Sequence, residues 1–178
     1  ALGAGGDYAD LYFEFRIGSD FILEEGKVRR VGRVTAVGLG VRVLRGDATG
    51  YAYTEELSSM RMLQAARTAG QIAAGSGATA PLAMSKMALG DVYPVLESPL
   101  LRAGEEKVAL LRRADAAARA YDPRIVRVEA SLADEWREVI IFTSAGIMAK
   151  DVQPMVRLSV QAVAEENGRR QTGRSGTA

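Results

Sequence analysis

From residue 9 onward apolar and polar side chains alternate: Leu11, Phe13 and Phe15 fall on one side, Tyr12, Glu14 and Arg16 on the other. That period of two predicts a strand with one buried face. Glu25-Gly26 reads as a tight turn between two further strand runs, Phe21 to Glu24 and Lys27 to Val34, and Leu39, Val41 and Val43 set against Arg42 predict another. Gly46-Asp47 then separates Val41–Arg45 from Gly50–Thr54, the composition of a hairpin turn that needs positive φ.

After this hairpin the period becomes helical. Met60, Leu63, Ala66, Ala69 and Ala73 form one stripe opposite Arg61, Gln64, Thr68 and Gln71, with Ser58 or Ser59 as N-cap and an end expected near Ala74. Glycines and Pro81 mark an irregular stretch that runs through Met84, Met87 and Tyr93 to Pro99. A second helix is predicted over Gly104–Tyr121, with Val108, Leu111, Ala114, Ala118 and Tyr121 buried and Asp122-Pro123 as its stop. Strand alternation returns in Val126, Val128, Ala130 and Leu132, in "WREVIIFTSAG", and in Val156, Leu158, Val160 and Ala162, before Asn167-Gly168 signals a last hairpin.

Strands grouped with strands, rather than alternating with helices, predict an α+β fold: largely antiparallel sheet with two helices packed on one face. Strands then helix, followed by helix then strands, is a weak mirror symmetry that allows two subdomains sharing a helical layer. The expected division is a strand-rich segment over residues 1–80 ending in a helix, a linker over 81–102, and a helix followed by antiparallel strands over 103–178.

Composition narrows the chemistry. The 178 residues include neither Cys nor His, so disulfides, thiolate chemistry and the commonest ligands of catalytic zinc are excluded within them. With 23 basic and 22 acidic side chains the net charge is +1, which provides no electrostatic case for nucleic acid or an anionic membrane. No apolar run approaches the roughly 20 residues of a membrane-spanning helix. The opening "ALGAGG" reads as the last turn of a helix entering a glycine cap, so residues are expected to precede Ala1.

The stretch "GVRVLRGDATGYAYTEEL" is the most patterned in the chain. It has neither the Gly-Lys-Ser/Thr ending nor the Gly-x-Gly-x-x-Gly run of phosphate-binding loops, so its glycines read as turn chemistry. Tyr51 and Tyr53 share a strand face, where aromatic pairs commonly pack across strands. The carboxylate pairs Asp7/Asp10, Glu24/Glu25, Glu55/Glu56 and Glu105/Glu106 each flank a turn or helix start, where capping and solvation account for them. Arg169, Arg170 and Arg174 are expected to face water, and Trp136 to pack on the sheet.

"GDYADLYFE", "GVRVLRGDATGYAYTEEL", "AARTA" and "AKDVQPMVRLSV", in this order and spacing, resemble the N-terminal half of the TldD/PmbA family, once called modulators of DNA gyrase. Gly50-Tyr51-Ala52-Tyr53 resembles the TldD branch, the PmbA (TldE) branch usually carrying a shorter polar residue at the place of Tyr53. The resemblance implies a zinc-dependent peptidase of the bacterial and archaeal cytoplasm that acts on unfolded or extended peptides. It further implies a two-fold dimer, either of like subunits or with a PmbA/TldE-type sister.

The family's zinc is held by a His-Glu-x-x-x-His helix and a further cysteine, all beyond the region matched, so no catalytic or metal-binding residue carries over to this chain. Zinc is expected in the complete protein and not on these residues, which alone are expected to be inactive. By the resemblance they form a substrate-enclosing and dimer-forming portion, with Tyr51 and Tyr53 as the candidate substrate-binding residues. The alternatives are a non-catalytic peptide-binding sister subunit and, on the old family name alone, a regulator of DNA gyrase.

Overall fold

The computed structural model describes residues 1–73, 85–87, 95 and 97–177. Its strands are β1 (Tyr8–Glu24), β2 (Lys27–Arg45), β3 (Ala48–Thr54), β4 (Ser85–Lys86), β5 (Ile125–Thr143), β6 (Ile147–Glu166) and β7 (Arg169–Thr177), and its helices α1 (Ser59–Ala73) and α2 (Gly104–Tyr121). The architecture is α+β, with the sheet antiparallel apart from the short β4–β6 pairing. The chain forms two compact units, the first of residues 1–16, 35–94 and 137–153, the second of residues 17–34, 95–136 and 154–178.

Four strand runs expected between residues 11 and 43 are in fact two long strands. Glycine and polar residues are accommodated within them: Ser19 donates to Asp134 Oδ1 at 2.5 Å, and Gly32 leaves room for the Asp20 carboxylate, which a Cβ there would strike. The three expected turns are present with left-handed backbone, at Glu25 (φ 52°) and Gly26 (φ 69°), Gly46 (φ 51°), and Asn167 (φ 52°) and Gly168 (φ 73°). A 3₁₀ turn, Leu2–Ala4, closes on Gly5 in the left-handed region.

In the first unit α1 packs Ala65, Ala66, Ala69 and Ala73 against Ala9, Leu39, Val41 and Val43. Helix and sheet approach closely because these residues are small. At Gly50 of β3 a Cβ would overlap the Ala69 carbonyl oxygen and come within 2.7 Å of the Ala73 amide nitrogen. Ser58 is the N-cap: its Oγ accepts from Arg61 N–H at 3.4 Å, and its carbonyl accepts from Met62 N–H at 3.0 Å. The expected buried stripe is corrected at its first turn, since Met60 (71% exposed) and Leu63 (56%) face away from the core and Ala65 takes their place. The narrow gap set by Gly50 admits methyl groups and not longer side chains.

The second unit centres on Leu111 of α2, fully buried among Phe21, Leu23, Ala130 and Leu132, a burial worth about 1.5–3 kcal/mol. Here α2 has its predicted limits, and Val108, Leu111 and Ala114 of its predicted inner face pack on the core, but the face differs in part. Tyr121 is 88% exposed, and Lys107 and Asp115 are buried instead. The reason is a polar centre: Lys107 Nζ lies 2.7 Å from Asp134 Oδ2, Asp134 also accepts from Ser19, and the ammonium sits 5.5 Å from the Phe21 ring centroid. On β5 and β6 the buried apolar set begins at Val128 rather than Val126, and Val156 is exposed.

Most of the expected linker, residues 81–102, lies outside the described residues. Its described part holds β4, whose Ser85 and Lys86 run parallel to Ile147 and Met148, and a 3₁₀ turn Pro99–Leu101 capped by Ser98.

Candidate functional site

Tyr51 and Tyr53 lie on β3, an edge strand of the first unit, paired with Arg42 and Gly40 of β2 respectively. Alternation separates the strand's two faces. Gly50 and Ala52 turn to α1, while Tyr51 and Tyr53 turn to the opposite face and stand 58% and 71% exposed. The Tyr51 ring leans over Gly40, where a Cβ would meet its hydroxyl at 2.7 Å, so the glycine makes room for the tilt.

A third tyrosine belongs to this face. Arg42, opposite Tyr51, is bound to Asp10 of β1 through Nη2 at 2.5 Å, and Tyr12 stands two residues beyond Asp10, hence on the same side. Its hydroxyl donates to Glu14 Oε2 at 2.9 Å. Burial, and then the Glu14 hydrogen bond and charge, raise the Tyr12 hydroxyl above its ordinary pKa, with Arg137 pulling the other way. The clue to Tyr12 was present in the alternation of "DLYFEFR", which sets it apart from Leu11 and Phe13.

Where β3 runs toward α1, Ala52, Tyr53, Glu56, Arg61, Gln64 and Thr68 border a groove of about 370 Å³. Thr54 Oγ1 accepts from Glu56 N–H and donates to the Glu56 carbonyl, both at 3.1 Å, which folds "TEEL" into the helix cap. The Glu56 carboxylate accepts from Ser58 (2.8 Å) and Arg61 (3.3 Å), and these two bonds, Ser58 first, hold its pKa below the usual carboxylate range.

These groups suit the recognition of a polypeptide: aromatic faces, hydroxyl donors and a paired carboxylate beside an edge strand. They do not suit a metal. Among the described residues no three of His, Cys, Asp or Glu converge, and the sequence has no imidazole or thiolate to offer.

The carboxylates of the pairs Asp7/Asp10 and Glu24/Glu25 have structural partners. Asp7 accepts from Gly46 N–H at 2.8 Å, Glu24 is bound by Arg29 and Arg127, and Glu25 accepts from Val128 N–H and Arg119, both at 2.9 Å. Arg170 pairs with Glu165 at 2.7 Å and Arg174 donates to the buried Ser159 at 3.3 Å. The Ser19–Lys107–Asp134 cluster contains a hydroxyl, an ammonium and a carboxylate, but the Asp134 and Lys107 side chains are 1% and 10% exposed, too enclosed to meet a substrate.

Residues 9–73 match the family model described as PmbA/TldA metallopeptidase domain 1, and residues 99–178 the PmbA/TldA metallopeptidase central domain. The chain belongs to the PmbA/TldD metallopeptidase family. It is 34% identical over 176 residues to a metalloprotease TldD homolog of Haemophilus influenzae, covering 96% of this chain and 36% of that protein. A metalloprotease TldD homolog of Buchnera aphidicola (from Acyrthosiphon pisum) is 31% identical over 170 residues, with 96% of this chain and 35% of that protein covered. The chain thus spans about a third of the length of these curated relatives.

The fold is shared with solved structures of low identity. A Thermotoga maritima protein described as a modulator of a DNA gyrase superposes with a TM-score of 0.75 at 16% identity, covering 95% of this chain and 38% of that one. TldE from Thermococcus kodakarensis does so with a TM-score of 0.69 at 13% identity, over 96% and 39%.

Proposed function

We propose that this chain is the substrate-enclosing and dimer-forming portion of a TldD-type zinc peptidase that acts on unfolded or extended peptides in the cytoplasm. The observation that carries the reading is the 34% identity, sustained over nearly the whole chain, to a protein named as a metalloprotease TldD homolog. The residues present do not fit a metal, so the zinc-binding set belongs elsewhere in the complete protein and no chemical step is assigned to this chain. Its part is to hold extended peptide along the face of Tyr51 and Tyr53, as one subunit of a homodimer or beside a TldE-type sister. The division into segments 1–80 and 103–178 joined by 81–102 is supported by family matches at 9–73 and 99–178.

The test uses the complete gene product. Tyr51→Ala/Tyr53→Ala should raise KM for a flexible peptide severalfold while leaving bound zinc and the rate at saturation near their original values. Chelator-insensitive hydrolysis, or no hydrolysis with any TldE-type partner present, would refute the peptidase reading.

A further inference from the structure

Along its outer edge β2 is covered by β3 only from Leu39 to Arg45, and β1 lies on its other side. In the second unit, residues 27–34 therefore present an edge without a neighbour among the described residues, roughly 26 Å long at about 3.3 Å per residue. Alternate N–H and C=O groups of such an edge point outward unpaired. Its apolar side chains are open as well: Val28, Val31 and Val34 are 42%, 58% and 53% exposed.

Beside this edge Phe21, Val31, Val108 and Ala109 line a groove of about 480 Å³, with Glu105 and Arg112 also on its walls. The edge's arginines are used unequally. Arg29 is drawn to Glu24 at 3.5 Å and Arg30 to Asp20 at 2.6 Å. Arg33 and Arg112 are exposed and make no ion pair or hydrogen bond among the described residues. Arg33 stands two positions from Val31, hence on the groove side of the strand.

We propose that this edge and groove bind an extended, acidic and apolar segment of another polypeptide, which adds to β2 as a further strand. Its apolar side chain fills the groove beside Val31, and a carboxylate two positions along meets Arg33 or Arg112. Backbone pairing supplies the affinity and the alternate side chains the selectivity. A second copy of the same edge is disfavoured, because pairing would bring Arg29, Arg30 and Arg33 of both copies together. The assignment needs no reaction and stands apart from the peptidase reading.

The probe is a fluorescein-labelled peptide of alternating Thr with Val and Glu (Thr-Val-Thr-Glu repeated), titrated with the full chain by fluorescence anisotropy at low salt. Saturable binding is expected, with protection of the amides of residues 27–34 from hydrogen exchange. N-methylation of the peptide's alternate amides, in the frame that faces the edge, should weaken it about tenfold, or ~1.4 kcal/mol. Arg33→Glu/Arg112→Glu, at exposed positions, should weaken it comparably and favour a peptide with Lys in place of Glu. No saturation at millimolar protein, indifference to N-methylation, or indifference to charge reversal would each overturn the assignment. Concentration-dependent dimerisation that protects residues 27–34 without peptide would instead assign the edge to a second copy and also overturn it.

Discussion

Lys107 on α2 and Asp134 on β5 form a buried ion pair, 2.7 Å from Nζ to Oδ2, in a position where a helix and a sheet would ordinarily exchange apolar side chains. Asp134 Oδ2 has no hydrogen bond of ordinary geometry, so the close ammonium is what offsets its charge. Removing one partner leaves the other stranded, at a cost of ~3–5 kcal/mol, whereas replacing both by apolar groups is often neutral or better. Lys107→Met and Asp134→Asn should each lower the urea midpoint sharply, and Lys107→Met/Asp134→Leu should recover most of the loss. A double variant as unstable as either single one would show that the pair itself stabilises the fold.

Gly50→Ala should destabilise the first unit by ~1–3 kcal/mol or more, because the added methyl meets the Ala69 and Ala73 backbone rather than a movable side chain. Thermal unfolding followed by circular dichroism measures it. Unchanged melting would mean that α1 withdraws from β3 without penalty.

The stretch from hairpin to helix is where sequence reading and structure agree most closely, and the reason is local. Positive-φ turns at Gly26, Gly46 and Gly168 depend on residue types that few other conformations favour, and Ser58 caps through its own side chain. The helix faces were less legible. Hydrophobicity placed Tyr121 inside, where it is 88% exposed, and the burial of Lys107 depends on Asp134, a partner that no helical period can reveal. Likewise, Tyr51 and Tyr53 were identifiable as sharing a face, while the inclusion of Tyr12 depends on the strand order that sets β1 beside β2.

Acid should loosen the corner after α2. Arg124 donates to Asp122 from its side chain at 2.6 Å and from its backbone N–H at 2.8 Å, and the carboxyl is lowered to about 2, the side-chain bond contributing most. Glu25 is lowered as well, first by Val128 N–H and then by Arg119. A carboxyl depressed in the folded state contributes stability above its unfolded pKa, about 3.9 for Asp and 4.3 for Glu, and that contribution is lost as pH falls through the folded value. Carboxyl-resolved NMR titration should find Asp122 titrating near pH 2 and stability declining below about pH 4; an Asp122 midpoint at its ordinary value would contradict the geometry.

Tyr53→Ser should leave stability within ~0.5 kcal/mol of the parent chain, since a side chain 71% exposed has little burial to lose. Chemical denaturation checks this, and it makes any effect of the substitution on peptide binding interpretable as contact rather than folding. A loss above 2 kcal/mol would show that the residue is structural.

β7 carries a different implication. All nine of its residues, Arg169–Thr177, are exposed, and the strand is placed by the Asn167-Gly168 turn and by its ladder to β6. Three positions have further duties: Arg170 pairs with Glu165, Arg174 reaches Ser159, and a Cβ at Gly176 would come within 3.0 Å of the Leu158 carbonyl. Elsewhere the spelling of the strand is nearly free. Gln171 and Thr172 are therefore natural attachment points for a spectroscopic reporter, rigidly held yet able to accept a foreign side chain without disturbing any packed neighbour.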